Sequence, residues 1–514
     1  MTPFLLGPIY EPPSGLLVSG FINAWASRLS TTMNHILESG HSDFGGFEAN
    51  TSSISITVTS TEDHEDTPFF DFHYSSPQVT RNSVYRIGSV SKLFAVYALL
   101  VEHGRPIEDA YWDRITIGAL ASQLSGFGRD YANADLADQN FPWKRARFPA
   151  LPAFDIPTCA GNDSLPPCNR QEYFHGLLRK HPVFAPRTTP VYSNAAYRIL
   201  GYVLEAMVGA PYHAFLQSAV LGPLGLADTP ATLPPNRGSW VIPGGNRSDF
   251  HLDFGDEMPT AGIYSSSGDL AKFGRSILLH RQLSALDTRR WMKLGSHTSN
   301  PFFSVGSPWE IVRARSQITS GRVIDLYTKS GAVGQYNTQI ILLPDHGVVL
   351  SILGAGSSSG DTVITAAEAV LQSLIPALEN VTLACACERI CGTYESSQPN
   401  VNSSITVAGD ETGLYLQRWI NQGVDIEVVA RAYARDTEPS GAGHRVTYRV
   451  AFDMTGEDPD GPPRVLDQGS QWDAIDLIVY GDVSVYDLVI CFDANGTAIT
   501  IEPRVLRDVL HRSS

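Results

Sequence analysis

The chain has 514 residues, 43% of them hydrophobic and 18% charged, enough for one large domain with a companion or for two to three smaller ones. Its 53 acidic residues against 37 basic ones give a formal net charge of -16, which argues against nucleic acid and anionic membrane surfaces as partners. No stretch approaches the roughly 20 apolar residues needed to span a bilayer, and the start, MTPFLLGPIYEPP, has neither the basic nor the apolar region of a signal peptide.

Ile22, Trp25, Leu29, Met33 and Ile36 recur at helical spacing and predict an amphipathic surface helix over residues 21–37. Ser53–Ser60 alternates and reads as a strand, with Phe69–Tyr74 as its partner. Leu93–Val101 is apolar on every face, as a helix buried all round should be. Residues 142–168 are rich in proline and lack periodicity, which suggests an inserted loop walling a pocket. A mostly apolar helix spans Ala195–Val208 and stops at Gly209. Arg322–Thr328, Thr338–Leu343 and Gly347–Leu353 form an antiparallel meander, and Asp361–Leu378 returns as a helix to cover it. Beyond residue 385 the pattern changes to short alternating segments, Ala474–Tyr480, Val483–Phe492 and Ala498–Glu502 among them, split by Gly, Asp and Asn turns. The expected division is therefore 1–384, with 142–168 inserted, and a β-rich domain over 385–514.

Cysteines and glycosylation sequons pull against the start of the chain. Cys159 and Cys168 bracket a polar loop that could close as a disulfide, while Cys385, Cys387 and Cys391 cluster with Cys491 far downstream and no pairing dictated. Six N-x-S/T sequons, at Asn50, Asn162, Asn246, Asn380, Asn402 and Asn495, add to the secretory side. The compartment stays open between a cytoplasmic protein and a truncated secreted one.

The chain holds six lysines against 31 arginines, so a lysine inside a motif stands out. Lys92 closes Ser89-Val90-Ser91-Lys92 at the start of the buried helix, where a three-residue step brings hydroxyl and amine within reach. A helix N-terminus favours negative charge developing on the serine oxygen, and burial lowers a lysine's pKa towards proton acceptance. The alternative is that Ser89 is only an N-cap and Lys92 a solvated charge. Lys329 ends its predicted strand in Lys329-Ser330-Gly331-Ala332, which sets a cation, a hydroxyl and a permissive glycine at a sheet edge. Tyrosine supplies a base where neighbouring ammonium groups stabilise its phenolate. Tyr-x-Asn occurs at Tyr131-Ala132-Asn133, expected in a surface loop, and at Tyr192-Ser193-Asn194, which opens a rigid helix and is preferred.

Together these residues resemble the serine β-lactamase and penicillin-recognising enzymes, in the branch of class C β-lactamases, D-alanyl-D-alanine carboxypeptidases and related esterases. The resemblance runs over about residues 80–375, from Tyr85–Lys92 through Leu124-Ser125-Gly126, Tyr192-Ser193-Asn194, Leu200-Gly201, Pro223–Leu226 and Ala261–Ser265 to Lys329-Ser330-Gly331. It implies an α+β fold with an antiparallel sheet flanked by helices, followed here by an all-β domain like that of secreted fungal members. It further implies that Ser89 is the acylated nucleophile, that Lys92 and Tyr192 share proton transfer, and that Asn194 orients the acyl amide. Lys329, Ser330 and Gly331 would bind substrate, and the N–H groups of Ser89 and Ala332 would form an oxyanion hole. The implied substrate is a small lactam, ester or peptide-like acyl compound, without cofactor. Acyl transfer, or release of a polyketide thioester, uses the same residues, and a catalytically silent binding or scaffold member is the reading from another class.

Two other chemistries compete. Gly356-Ser357-Ser358-Ser359-Gly360 matches the G-x-S-x-G elbow between a strand and a helix, with His444 or His511 as the available histidines. Zinc chemistry finds no H-x-H-x-D-H or H-E-x-x-H cluster among the 14 histidines, so no metal is expected.

Overall fold

The computed structural model of the chain describes most residues between 13 and 425, and beyond them chiefly 447–449, 479–484, 487–492, 498–503 and 510–511. Asn133, His444 and much of the Pro-rich segment, residues 142–147 and 161–164, lie outside the described residues.

The centre is an eight-stranded sheet built from β1 (Ser53–Ser60), β2 (Phe70–Tyr74), β3 (Ser296–His297), β4 (Phe303–Val305), β5 (Glu310–Ala314), β6 (Ile324–Val333), β7 (Tyr336–Leu343) and β8 (Val348–Ala355). Their order is β2-β1-β8-β7-β6-β5-β4-β3, with every neighbouring pair antiparallel. The predicted meander is thus present, and Gly347, at φ +61°, makes its β7–β8 turn.

Both faces of the sheet are buried because its central strands carry apolar residues in both registers. In β8, Val348, Leu350 and Ile352 face one apolar core while Val349, Leu353 and Ala355 face another. On the first face lie α1 (Gly20–Ser39), the predicted amphipathic helix, and the long terminal helix Ser359–Ile390. Trp25 of α1 is buried and donates its indole N–H to Ser373 Oγ at 2.9 Å, tying the two helices together. Contrary to the expectation that no stretch is apolar enough to span a bilayer, Ser359–Cys385 is long and apolar enough to cross one, but its apolar positions, Val363, Ala366, Val370, Leu374 and Leu378 among them, are spent on the sheet. Against the second face pack α2 (Ser91–His103), α3 (Asn194–Val208) and α4 (Ser267–Leu278), with Phe94 stacked on Phe273 at 4.2 Å.

Two further expectations need correction. The strand predicted to end at Thr328 continues to Val333, so Lys329–Ala332 lies within β6: pairing with β5 stops at Glu310–Thr328, whereas pairing with β7 carries on to Val333–Tyr336. Tyr131 is not on a surface loop. It is 6% exposed, its ring sits on Gly176, where a Cβ would lie 2.0 Å from it, and it meets Tyr173 edge-on.

Cys159 and Cys168 are disulfide-bonded, as are Cys387 and Cys391 at the end of the long helix, and Cys385 is a free thiol. That helix runs through residue 385 to Ile390. The strands Gly392–Glu395, Ser404–Asp410, Gly413–Asn421 and Val424–Asp425 then form one antiparallel sheet, and Thr447–Arg449, Asp487–Phe492, Ala498–Pro503 and Leu510–His511 a second. Among the described residues beyond Ile390 there is no helix, in keeping with the all-β expectation.

Candidate functional site

Ser89 sits in a single helical turn, Gly88–Val90, directly before α2, and Lys92 occupies the first turn of α2. Lys92 is fully buried and donates to Ser89 Oγ at 3.1 Å, to Asn194 Oδ1 at 2.6 Å and to the carbonyl of Thr260 at 2.9 Å. Three acceptors fix all three of its ammonium protons, so the amine is held by geometry rather than solvated. The alternative in which Lys92 is a surface charge is therefore excluded.

Tyr192 Oη lies 2.5 Å from Ser89 Oγ, so the preferred tyrosine and the serine share a hydrogen bond. Its position follows from α3. Ser193 caps that helix by accepting from the Ala196 N–H at 3.0 Å, and its own hydroxyl donates to the Gly128 carbonyl at 2.9 Å. The Asn194 and Ala195 N–H groups both donate to the Arg129 carbonyl, at 2.7 and 3.2 Å. A rigid cap thus clamps Tyr192-Ser193-Asn194 onto residues 123–130. Asn194 spends both ends of its amide, accepting from Lys92 and donating from Nδ2 to Asp130 Oδ2 at 3.1 Å.

Strand β6 closes the opposite side. A Cβ added to Gly331 would stand 2.0 Å from the Ile87 carbonyl oxygen and 2.9 Å from the Ser89 nitrogen, and one added to Gly88 would stand 2.6 Å from the Ala332 nitrogen. Gly88 also holds φ +49°, so both glycines are dictated by close backbone approach and one by conformation as well. Ser330 donates its N–H to Glu310 Oε2 at 2.8 Å on the edge that β5 has left. By the two-residue period of a strand, the Ala332 N–H points to that same edge, towards the Ser89 turn.

The charges explain the titration behaviour. Burial pushes the Tyr192 phenol up, but Lys92, Lys329 and Arg129 around it, with the Ser89 hydrogen bond, outweigh burial and hold it below the usual 10.0. Lys92 lies 4.9 Å, Arg129 4.8 Å and Lys329 5.5 Å from its ring centre. For Lys92 burial comes first and lowers its pKa from 10.5, with Lys329 acting in the same direction and Tyr192 against it. Lys329, 1% exposed, is ion-paired with Glu310 and donates to the Ser330 carbonyl at 2.8 Å. Its ammonium thereby has a counter-ion from within the protein.

All of Ser89, Lys92, Tyr192, Asn194, Lys329, Ser330, Gly331 and Ala332 meet at this one place, between the start of α2, the cap of α3 and the free edge of β6. Arg129, Asp130, Thr260 and Glu310 join them without having been expected. Thr260 acts through a backbone carbonyl, which no side-chain pattern announces. Glu310 reaches Lys329 only through strand pairing. Asp130 borders the Tyr131 motif set aside as a loop, the one local signal that pointed to it. Tyr131 itself is absent from these contacts. The Gly356–Gly360 segment is the link from β8 to the long helix: Ser359 is 2% exposed and accepts from Asn337 Nδ2 at 2.8 Å, and the Ser358 carbonyl accepts the Thr362 N–H at 3.0 Å. Among the described residues no group of three or more His, Cys, Asp or Glu side chains is placed to hold a metal ion.

The chain is similar to known proteins over most of its length. The Beta-lactamase family model matches residues 72–374, and a model described as Beta-lactamase-like-like, C-terminal domain, matches residues 383–514. The chain is 29% identical over 447 residues to a "Beta-lactamase-like protein" of Arthroderma benhamiae, covering 82% of this chain and 74% of that one. It is 25% identical over 450 residues to "Probable hydrolase M10" of Phoma sp., covering 81% and 73%. Among solved structures, a class C beta-lactamase aligns with TM-score 0.48 and 16% identity over 69% of this chain and 96% of its own.

Proposed function

The chain belongs to the beta-lactamase family of hydrolases, and on that premise we propose that it is a serine hydrolase that forms an acyl-enzyme on Ser89 with a lactam, ester or peptide-like substrate. The observation that carries this reading is the double hydrogen bond on Ser89 Oγ, from Lys92 Nζ at 3.1 Å and with Tyr192 Oη at 2.5 Å. A serine flanked by a buried amine and a phenol of lowered pKa has its proton acceptor in place before substrate arrives.

In the reaction, Tyr192, as phenolate, takes the Ser89 proton while Oγ attacks the substrate carbonyl carbon. The carbonyl oxygen gains the negative charge and is met by the N–H groups of Ser89 and Ala332. As the C–N or C–O bond breaks, the proton on Tyr192 passes to the leaving group, with Lys92 holding the phenolate that is left. Water then adds to the acyl carbon and gives its proton to Tyr192; as the acyl C–Oγ bond breaks, that proton passes to Ser89 Oγ, which releases the acid and restores the serine and the phenolate. An alcohol or amine in place of water turns the same sequence into acyl transfer. The domain division goes with this reading: the machinery belongs to a unit ending in the long helix Ser359–Ile390, and a separate β-rich unit follows it.

The test is to incubate the protein with a mixed panel of lactams, esters and thioesters and to weigh the trapped adduct by peptide mass spectrometry. One acyl group on the peptide carrying Ser89 is the expected result. An adduct on any other residue, or turnover of panel members with no adduct under quenching, overturns the assignment.

Glu310 gives a second expectation. Because its carboxylate is the counter-ion of Lys329, a substrate carboxylate arriving beside Lys329 meets a preformed ion pair rather than an open cation. Glu310→Gln keeps a hydrogen-bonding oxygen but removes the negative charge. The variant should raise the acylation rate with a carboxylate-bearing lactam relative to its methyl ester by roughly tenfold, the scale of one charge-assisted hydrogen bond. An unchanged ratio would mean that Lys329 takes no part in reading substrate charge.

A further inference from the structure

Among the described residues, the β-rich domain reaches the segment that leads from the candidate site through a tight hairpin, Val479–Tyr480 paired with Val483–Ser484. Its two turn residues, Gly481 and Asp482, both have positive φ, 60° and 59°, the backbone of the tightest two-residue hairpin turn. Such a turn is stiff, so what it touches is held at a defined distance from the strands behind it.

What it touches is the segment that begins at the candidate site. Val479 lies beside Asp135 in a parallel bridge, and its carbonyl accepts the Leu136 N–H at 3.1 Å. Asp135 is fully buried. One of its carboxylate oxygens accepts the Ala137 N–H at 2.8 Å and the other the Asp482 N–H at 3.3 Å. Tyr480, 3% exposed, donates its hydroxyl to the Pro149 carbonyl at 2.7 Å and packs its ring against Phe148 at 4.9 Å, at the start of the described part of the Pro-rich segment. Val479 is 2% exposed, so this contact is as dry as a domain core.

Six residues upstream, the same segment reaches the chemistry. The Arg129 carbonyl receives the Asn194 and Ala195 N–H groups, the Arg129 guanidinium covers the Tyr192 ring at 4.8 Å, and the Asp130 carboxylate holds Asn194 Nδ2. Lys180 pins the Asp130 carbonyl at 2.7 Å, and Tyr131 is wedged onto Gly176. The segment is therefore fastened at one end to Tyr192 and Asn194 and at the other to the hairpin of the second domain.

We propose that the Val479–Ser484 hairpin is a positioning element for acylation: by holding residues 135–137 and 148–149, the β-rich domain sets where Arg129 and Asp130 stand against Tyr192 and Asn194. This inference rests on the Ser89 acylation reading. Hairpin and site share no reacting atom, so the role is one of placement, and small misplacements of a proton-transfer group cost rate steeply.

The experiment uses the full chain and three proteins, wild type, Tyr480→Ala and Tyr480→Phe. Two quantities are measured: the second-order rate of Ser89 labelling by a fluorophosphonate, and hydrogen exchange at the amides of Asn194 and Ala195 compared with those inside α2. Tyr480→Ala should slow labelling roughly tenfold and speed exchange at 194 and 195 with α2 protection unchanged, while Tyr480→Phe, which keeps the ring against Phe148, recovers most of the rate. Labelling by Tyr480→Ala at the wild-type rate overturns the proposal. So does slower labelling accompanied by equal loss of protection throughout α2, which would be plain destabilisation. If wild-type Ser89 is never labelled, the acylation reading fails by itself, and exchange at 194 and 195 alone decides whether the hairpin positions the segment.

Discussion

Ser89→Ala is expected to abolish covalent labelling by a fluorescent penicillin or a fluorophosphonate, and Ser358→Ala to leave it intact. Both serines sit where a strand or turn passes into a helix, so the sequence alone gives each a claim. What separates them is the supply of proton acceptors. Ser89 Oγ is bonded to a buried ammonium and to a phenol whose pKa is lowered, and glycine positions on both sides let two backbone N–H groups approach. At the other motif, Ser359 is buried against Asn337, and Gly356 and Ser358 use their carbonyls to start the covering helix. Those bonds account for the Gly/Ser composition as a strand-to-helix link. Removing Oγ from Ser89 deletes the nucleophile itself, so the expected loss is complete rather than partial. Label retained in Ser89→Ala, or label lost in Ser358→Ala, would transfer the chemistry to the second motif.

Legibility of the sequence followed the range of the forces involved. The helix over 21–37 and the strand Ser53–Ser60 were readable from a period of 3.6 or 2 in adjacent residues, and the meander from apolar runs joined by the Pro344–Gly347 turn. The short strands Phe303–Val305 and Glu310–Ala314 were not, since three to five residues are too few to establish a period. Glu310 was lost with them, although it sets the charge state around Lys329. The site divides in the same way. Ser89 and Lys92 lie three residues apart, and Gly331 and Ala332 follow Lys329 directly, so local motifs carried them. Asp130 and Thr260 meet Lys92 and Asn194 only after the chain has folded. Tyr131 misled for a related reason: its turn-rich neighbourhood suggested exposure, but Gly176 on a different helix opens a slot that buries the ring. The hairpin at 479–484 had a readable turn in Gly481-Asp482, but nothing near it in sequence says that its partner is Asp135.

Tyr192→Phe is expected to slow acylation of Ser89 about a thousandfold, within the usual contribution of a positioned general base, while Tyr131→Phe stays within roughly twofold of wild type. Phenylalanine keeps the ring beneath Arg129 and beside Lys92, so the packing survives and only the proton acceptor is lost. The pH dependence gives an independent reading. Burial raises the Tyr192 phenol, but Lys92, Lys329 and Arg129 bring it below 10.0, so the basic form is populated at lower pH than in a free tyrosine. The acylation rate should therefore climb with pH along a limb whose midpoint lies below 10.0, and that limb belongs to the coupled Tyr192–Lys92 pair. Arg129→Gln removes one of the cations that favour the phenolate without touching Ser89, so the limb should move to higher pH while the plateau rate changes far less. A limb unmoved by Arg129→Gln would mean that the titrating base is not Tyr192. Equal losses from Tyr192→Phe and Tyr131→Phe would mean that neither phenol is the base and that Lys92 alone takes the serine proton.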